Sequence, residues 1–192
     1  MNKYKHIFIL TVCSLCFLVA CSVSVPSFGI RSQEQTFPVQ DLLISVESLP
    51  RDWILRSGPG KIIDSDRSFD TAAIDFTHET RPDERPILQL VFRYETIQES
   101  KNDFDDASRF SSNFELENWN FRSEKADETK LSCYKYSNKE YPICTWLARY
   151  DEIMVEVIIH LDPDILSVSE MESIIRAVDQ KVVNILWPAP QN

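Results

Sequence analysis

The stretch LSCYKYSNKEYPICTWLARYDEIMVEVIIHL, residues 131–161, decides the fold class. It reads as three strands, Leu131–Tyr136, Ile143–Tyr150 and Ile153–Leu161, rich in β-branched and aromatic residues. Short polar turns join them, and only Asp151 and Glu152 separate the last two. Connections of hairpin length force antiparallel pairing, because parallel strands need a crossover of a dozen residues or more. A turn centred between Asn138 and Lys139 sets 136 opposite 141 and Cys133 opposite Cys144. Facing residues in such a pair have Cα atoms about 4.5–5.5 Å apart, within disulfide range. The register therefore predicts a Cys133–Cys144 disulfide whose role is to fix strand alignment. A redox-active pair is the alternative, but it needs a neighbour that lowers the thiol pKa, and none is evident.

C-terminal to this block, Met171, Ile174, Ile175, Val178, Val182, Ile185 and Leu186 recur at helical spacing. Ser167-x-x-Glu170 has the pattern of a capping box, and Pro188 stops the helix. N-terminal to it, Leu42, Ile44 and Val46 alternate and suggest a first strand. Trp53–Leu55 suggests a second, followed by a turn at Ser57-Gly58-Pro59-Gly60. Further strands are expected at Ala73–Phe76 and Ile87–Ile97, with a turn flanked by Pro82 and Pro86 between them. In the latter strand Leu88, Leu90, Phe92 and Tyr94 share a face and Val91 lies across from them. A helix fits 102–116, where Phe104, Ala107, Phe110, Ser111 and Phe114 trace a ragged apolar stripe. Trp119 and Phe121 alternate in a short strand. The order predicts an α+β domain over 41–188: one mainly antiparallel sheet whose apolar face is covered by two amphipathic helices, one of them C-terminal. Residues 189–192 form a tail.

The first residues, MNKYKHIFILTVCSLCFLVAC, have another character. Lys3 and Lys5 precede an apolar run from Ile7 to Leu18, the pattern of an export signal rather than of a span of about 20 apolar residues. Leu18-Val19-Ala20-Cys21 resembles the lipobox of bacterial lipoproteins. The resemblance implies cleavage between Ala20 and Cys21, diacylglycerylation of the Cys21 thiol, and lipid anchoring on the extracytoplasmic side of a cell membrane or outer membrane. Ser22, in place of the aspartate that resembles a retention mark, allows outer-membrane sorting. Two acyl chains anchor stably where one does so only marginally. Residues 21–40 read as the acylated N-terminus and a polar tether with two prolines, reaching roughly 25 Å from the anchor. Cys13 and Cys16 leave with the signal, so their C-x-x-C spacing is no redox or zinc motif. Cys133 and Cys144 then remain as an even pair in an oxidising compartment.

Within the domain, Leu49-Pro50-Arg51-Asp52-Trp53 resembles a leucine-proline-then-tryptophan motif of exported bacterial α+β domains, including sensor-type ones. Those often carry glycine where Asp52 stands. The order of strands and helices is also similar to the PsbP/Mog1-like sandwich. Both resemblances imply a fold neighbourhood and no site residues.

Composition narrows the partners. The chain has 20 basic and 30 acidic residues, and losing Lys3 and Lys5 with the signal leaves 18 against 30, a net charge of −12. That acidity argues against nucleic acid and against flat adsorption on anionic headgroups. With 3 glycines in all, the chain has no glycine-rich phosphate cradle, and no G-x-S-x-G elbow occurs. His78 and His160 are isolated, and a zinc site wants three or four ligands. Asp64, Asp66 and Asp70 lack the glycine and closing glutamate of an EF-hand loop. Asp103, Asp105 and Asp106 are expected in the first turn of a helix, where the dipole favours them. The sequence thus designates no catalytic residue, no metal ligand and no cofactor. Tyr134, Tyr136 and Tyr141 cluster on the disulfide hairpin beside Lys135 and Lys139 and form a candidate contact surface for a protein or glycan. Cross-strand pairing that stabilises the hairpin is their plainer role. The expected function is a membrane-anchored, non-enzymatic binding domain for an unknown protein or small molecule. The alternatives are an envelope hydrolase with a carboxylate/His site assembled from distant residues, and an envelope assembly factor.

Overall fold

The computed structural model describes residues 37–61, 68, 70–82, 86–109, 112–117, 119–137 and 141–189. The export signal, Ala20, Cys21, most of the tether, Asp64 and Asp66 lie outside the described residues. Two 3₁₀ turns, Val39–Leu42 and Val46–Ser48, lead into strands β1 (Trp53–Lys61), β2 (Asp70–His78) and β3 (Ile87–Arg93). Helix α1 (Ile97–Ala107) follows, then β4 (Glu128–Tyr134), β5 (Ile143–Tyr150), β6 (Ile153–His160) and helix α2 (Val168–Leu186). The six strands form one sheet in the order β1-β2-β3-β6-β5-β4, and every pair is antiparallel. The domain is α+β. Two three-strand meanders, each followed by a helix, meet where β3 pairs β6.

The two helices pack on opposite faces of the sheet, not together on one. Side chains alternate across a strand. Trp146, Ala148 and Tyr150 of β5 and Val155, Val157 and Ile159 of β6 belong to the main core, which α2 completes with Met171, Ile174, Ile175, Val178, Val182 and Leu186. Leu147 and Met154 have the other parity and form a separate cluster with Tyr94 and with Phe104 of α1. On β3 the main core takes Ile87 and Val91, while Phe92 packs on the α1 side.

The capping box at α2 is formed: Ser167 Oγ accepts from the Glu170 N–H, and Glu170 Oε2 accepts from the Ser167 N–H at 2.8 Å. Hydrogen bonds from the Ser167 N–H and then from its hydroxyl hold the Glu170 carboxyl below its ordinary pKa. Helix α1 begins five residues before the expected 102, because Thr96 and Glu99 form a second capping box. It ends at Ala107, with only Ser100 and Phe104 buried, so the stripe expected to run to Phe114 is not a helical face. Phe110 and Ser111 lie outside the described residues, and Phe114 instead bridges Cys133 on the outer edge of β4. Asp103, Asp105 and Asp106 consequently sit at the C-terminal end of α1, where the dipole opposes negative charge. Asp103 accepts from the Tyr94 hydroxyl, and Asp106 pairs with Arg109 at 3.0 Å.

Three further expectations fail at the sheet margin. Residues 42–46 are not a strand: Leu42, Leu43 and Ile44 are all buried, in and after the first 3₁₀ turn. Val39 is buried as well. Ser57–Gly60 is no turn but the middle of β1, with register shifts against β2 at Ser57 and Gly60. An edge strand tolerates proline and bulges that a central one does not. Gly58 has φ +100, and a Cβ there would lie 2.6 Å from the Ala73 carbonyl oxygen. Trp119 and Phe121 form no strand, although Phe121 is buried against Trp146 with ring centroids 6.1 Å apart. Asp52, where the resembling domains often carry glycine, has φ 71, the left-handed region that glycine enters freely.

The disulfide joins Cys133 and Cys144, which are direct register partners and are both buried.

Candidate functional site

The segment 37–48 packs against β1, β2, β3 and α2 in the main core and is held down by three side chains from distant elements. Arg93 of β3 donates to the Phe37 carbonyl at 2.9 Å and lies 4.6 Å over its ring. Gln89, fully buried in β3, accepts from the Ile44 N–H at 2.8 Å and donates to the Leu42 carbonyl at 3.1 Å. Lys181 of α2 donates to the Leu43 carbonyl. A buried loop without a ladder must satisfy its backbone groups some other way, and here side chains do it.

Between this segment, β1, β2 and α2 lies a groove of about 640 Å³. Its apolar wall is Leu43, Ile44, Val46, Leu55, Ile74 and Ile185. Leu55 is on the core side of β1 yet 46% exposed, because the groove stands open above it. Gln40, Asp41, Ser45 and Glu47 supply polar groups from the two 3₁₀ turns and the link between them, and Pro59 and Lys181 complete the lining. A hydrogen bond from Ser45 keeps the Glu47 carboxyl below its ordinary pKa. The volume falls within the range typical of small-molecule sites, about 300–1,000 Å³, and so does the mixture of apolar wall and few polar groups.

Sequence reasoning missed this site. Its residues come from segments read as strands, from a stretch read as a turn, and from a helix read only for its apolar spacing and its caps. The one local signal was three consecutive buried residues, Leu42, Leu43 and Ile44, which a half-buried strand does not produce.

The tyrosines expected to form a contact surface are partly assembled. Tyr134 and Tyr136 are 44% and 49% exposed, with rings edge to face at 4.6 Å between centroids. Tyr141 is half-buried. Asn138 and Lys139 lie outside the described residues. The outer edge of β4 beside them is occupied: the Cys133 N–H donates to Ser112 Oγ and the Lys135 N–H to Asn113 Oδ1.

His78 ends β2 and His160 ends β6. His78 packs edge-on against Trp53 with centroids 5.5 Å apart, and its Nδ1 lies 2.8 Å from Thr80 Oγ1. His160 is half-buried at the end of β6. Among the described residues no three His, Cys, Asp or Glu side chains gather as a metal ion requires. Tyr150 donates to Asp179 Oδ1 at 2.5 Å. Burial first, then the Asp179 charge, pushes its phenol far above the ordinary range, so it stays protonated and structural. Arg149 is buried and paired to Asp127 at 3.0 Å and to Glu128 at 2.8 Å, which pins the strand ends of β4 and β5. Two polar depressions along α2, of about 500 and 490 Å³, share Arg176, which is already engaged by Glu172 at 2.6 Å and by the Phe121 ring at 4.5 Å. Among the described residues no helix is long and apolar enough to cross a membrane.

No family model matches the chain, and no curated protein matches it. A crystal structure from Bacteroides thetaiotaomicron VPI-5482, at 1.50 Å resolution, is 14% identical and superposes with a TM-score of 0.29. That likeness covers 66% of this chain and 41% of the other, so the chain spans well under two thirds of its neighbour's length. At that score it carries nothing about fold or function.

Proposed function

We propose that this chain is a lipid-anchored extracytoplasmic domain that binds a small amphipathic ligand in the groove beneath the 3₁₀ turns. The groove is the observation that carries the reading: an apolar wall of ligand-sized volume, walled partly by a loop that side chains hold in place. Support for the location comes from the lipobox resemblance at Leu18–Cys21 and from the Cys133–Cys144 disulfide, a bond that persists in oxidising compartments. The anchor keeps the domain at a cell membrane or outer membrane.

The test is saturation-transfer NMR with 4-phenylbutanol, a neutral soluble probe, on the full mature chain in lipid nanodiscs, with empty nanodiscs subtracted. Saturable binding is expected with an affinity on the order of 1 mM, from an efficiency of about 0.3–0.4 kcal/mol per heavy atom. Leu55→Glu, at an exposed position, abolishes the signal. The double variant Tyr134→Ala/Tyr136→Ala leaves it intact. The opposite pattern moves the contact surface to the hairpin and refutes the groove.

A further inference from the structure

We infer that the groove selects organic cations: an ammonium or guanidinium group on an apolar body, with the body on the Leu55 wall and the charge at the Asp41 and Glu47 rim. The inference rests on the groove being the binding site and adds its charge preference.

Three observations support it. First, both carboxylates line the groove and both are exposed, on the two 3₁₀ turns that form one of its walls. Second, Lys181, the one cation among the described lining residues, is half-buried and already donates to the Leu43 carbonyl. Its role is to hold the loop, so the mouth retains two outward negative charges against one engaged positive charge. Third, the whole chain carries a net charge of −10, so the surrounding field also draws cations and repels anions. Apolar area supplies the affinity, and the rim supplies the discrimination, as in other sites where few polar groups orient a ligand.

Each exposed carboxylate beside a ligand cation contributes a factor of roughly 1.4 to 5. Two such carboxylates, partly offset by Lys181, give an expected preference of about fivefold for a cation over an anion of the same shape.

The experiment compares 4-phenylbutylammonium, 4-phenylbutyrate and 4-phenylbutanol on the full mature chain in zwitterionic nanodiscs at low salt. The cation binds about fivefold tighter than the carboxylate, with the alcohol between them. The double variant Asp41→Asn/Glu47→Gln brings the three within about twofold of one another. Salt at 0.5 M shrinks the wild-type preference, since exposed charges are screened. Equal binding of the two ions, or tighter binding of the carboxylate, overturns the charge preference while the groove stands. Silence from all three probes overturns the groove as well.

Discussion

Replacing Gln89 with leucine will cost the domain about 3 kcal/mol and lower its melting temperature by roughly 6–12 °C. Gln89 is fully buried in β3, and its amide serves two backbone groups of the loop above it, the Ile44 N–H and the Leu42 carbonyl. Leucine has a similar volume, so packing changes little. What changes is that two buried backbone groups lose their partner, at about 1–3 kcal/mol each, with incomplete additivity. Since Leu43, Ile44 and Val46 form one wall of the groove, the variant should also lose 4-phenylbutanol binding at temperatures where it is still folded. Gln98→Leu is the control. Gln98 is exposed on α1 and bonds only Asn102, so its removal should stay within about 0.5 kcal/mol. Thermal melts of the two variants check this directly. A Gln89→Leu shift under 3 °C would mean that the loop is held by something other than the amide.

The second large effect concerns the disulfide. Cys133→Ala/Cys144→Ala should destabilise the fold by about 3 kcal/mol, the entropic worth of closing a loop of about a dozen residues. The two cysteines are 11 residues apart and face one another in the β4–β5 ladder. Both are buried, so a thiol reductant should reach the bond slowly in the native protein and quickly once it is unfolded. The β4 edge gains further hold from Ser112 and Asn113, which limits the damage to the hairpin rather than to the whole sheet. Denaturant melts of the double variant beside wild type, with and without reductant, measure both statements. A wild-type midpoint that does not move on full reduction would sink the stabilising role.

Much of the fold was legible where local signals agreed with the tertiary result. The Cys133–Cys144 register followed from centring one turn, because a period of two leaves no freedom once a pair is placed. Helix α2 followed from its apolar spacing and the Ser167/Glu170 box. The same box at Thr96 and Glu99 was hidden because the alternation of Leu88 to Tyr94 ran on towards Ile97, and one period masked the start of the other. Gly58 and Pro59 misled because turn chemistry was weighed without knowing that β1 is an edge strand, where a bulged path is tolerated. Leu42, Ile44 and Val46 misled because their alternation ignored Leu43 between them, which is equally buried. The placement of α1 and α2 on opposite faces depends on which parity of β5 and β6 each helix meets, and a single chain does not display that. The groove was illegible for the same reason. It needs residues 40–47, 55–59, 74 and 181–185 in one place, and the sheet order together with the Gln89, Arg93 and Lys181 side chains brings them there.

Intact mass spectrometry of the full-length protein, extracted with detergent from its own membrane without reductant, tests the central claim most directly. The predicted species lacks residues 1–20, carries a diacylglyceryl adduct on Cys21, and falls about 2 Da below the dithiol mass because Cys133 and Cys144 are joined. A chain with residues 1–20 intact, Cys21 unmodified and both other thiols free would contradict the anchor, the compartment and the function built on them.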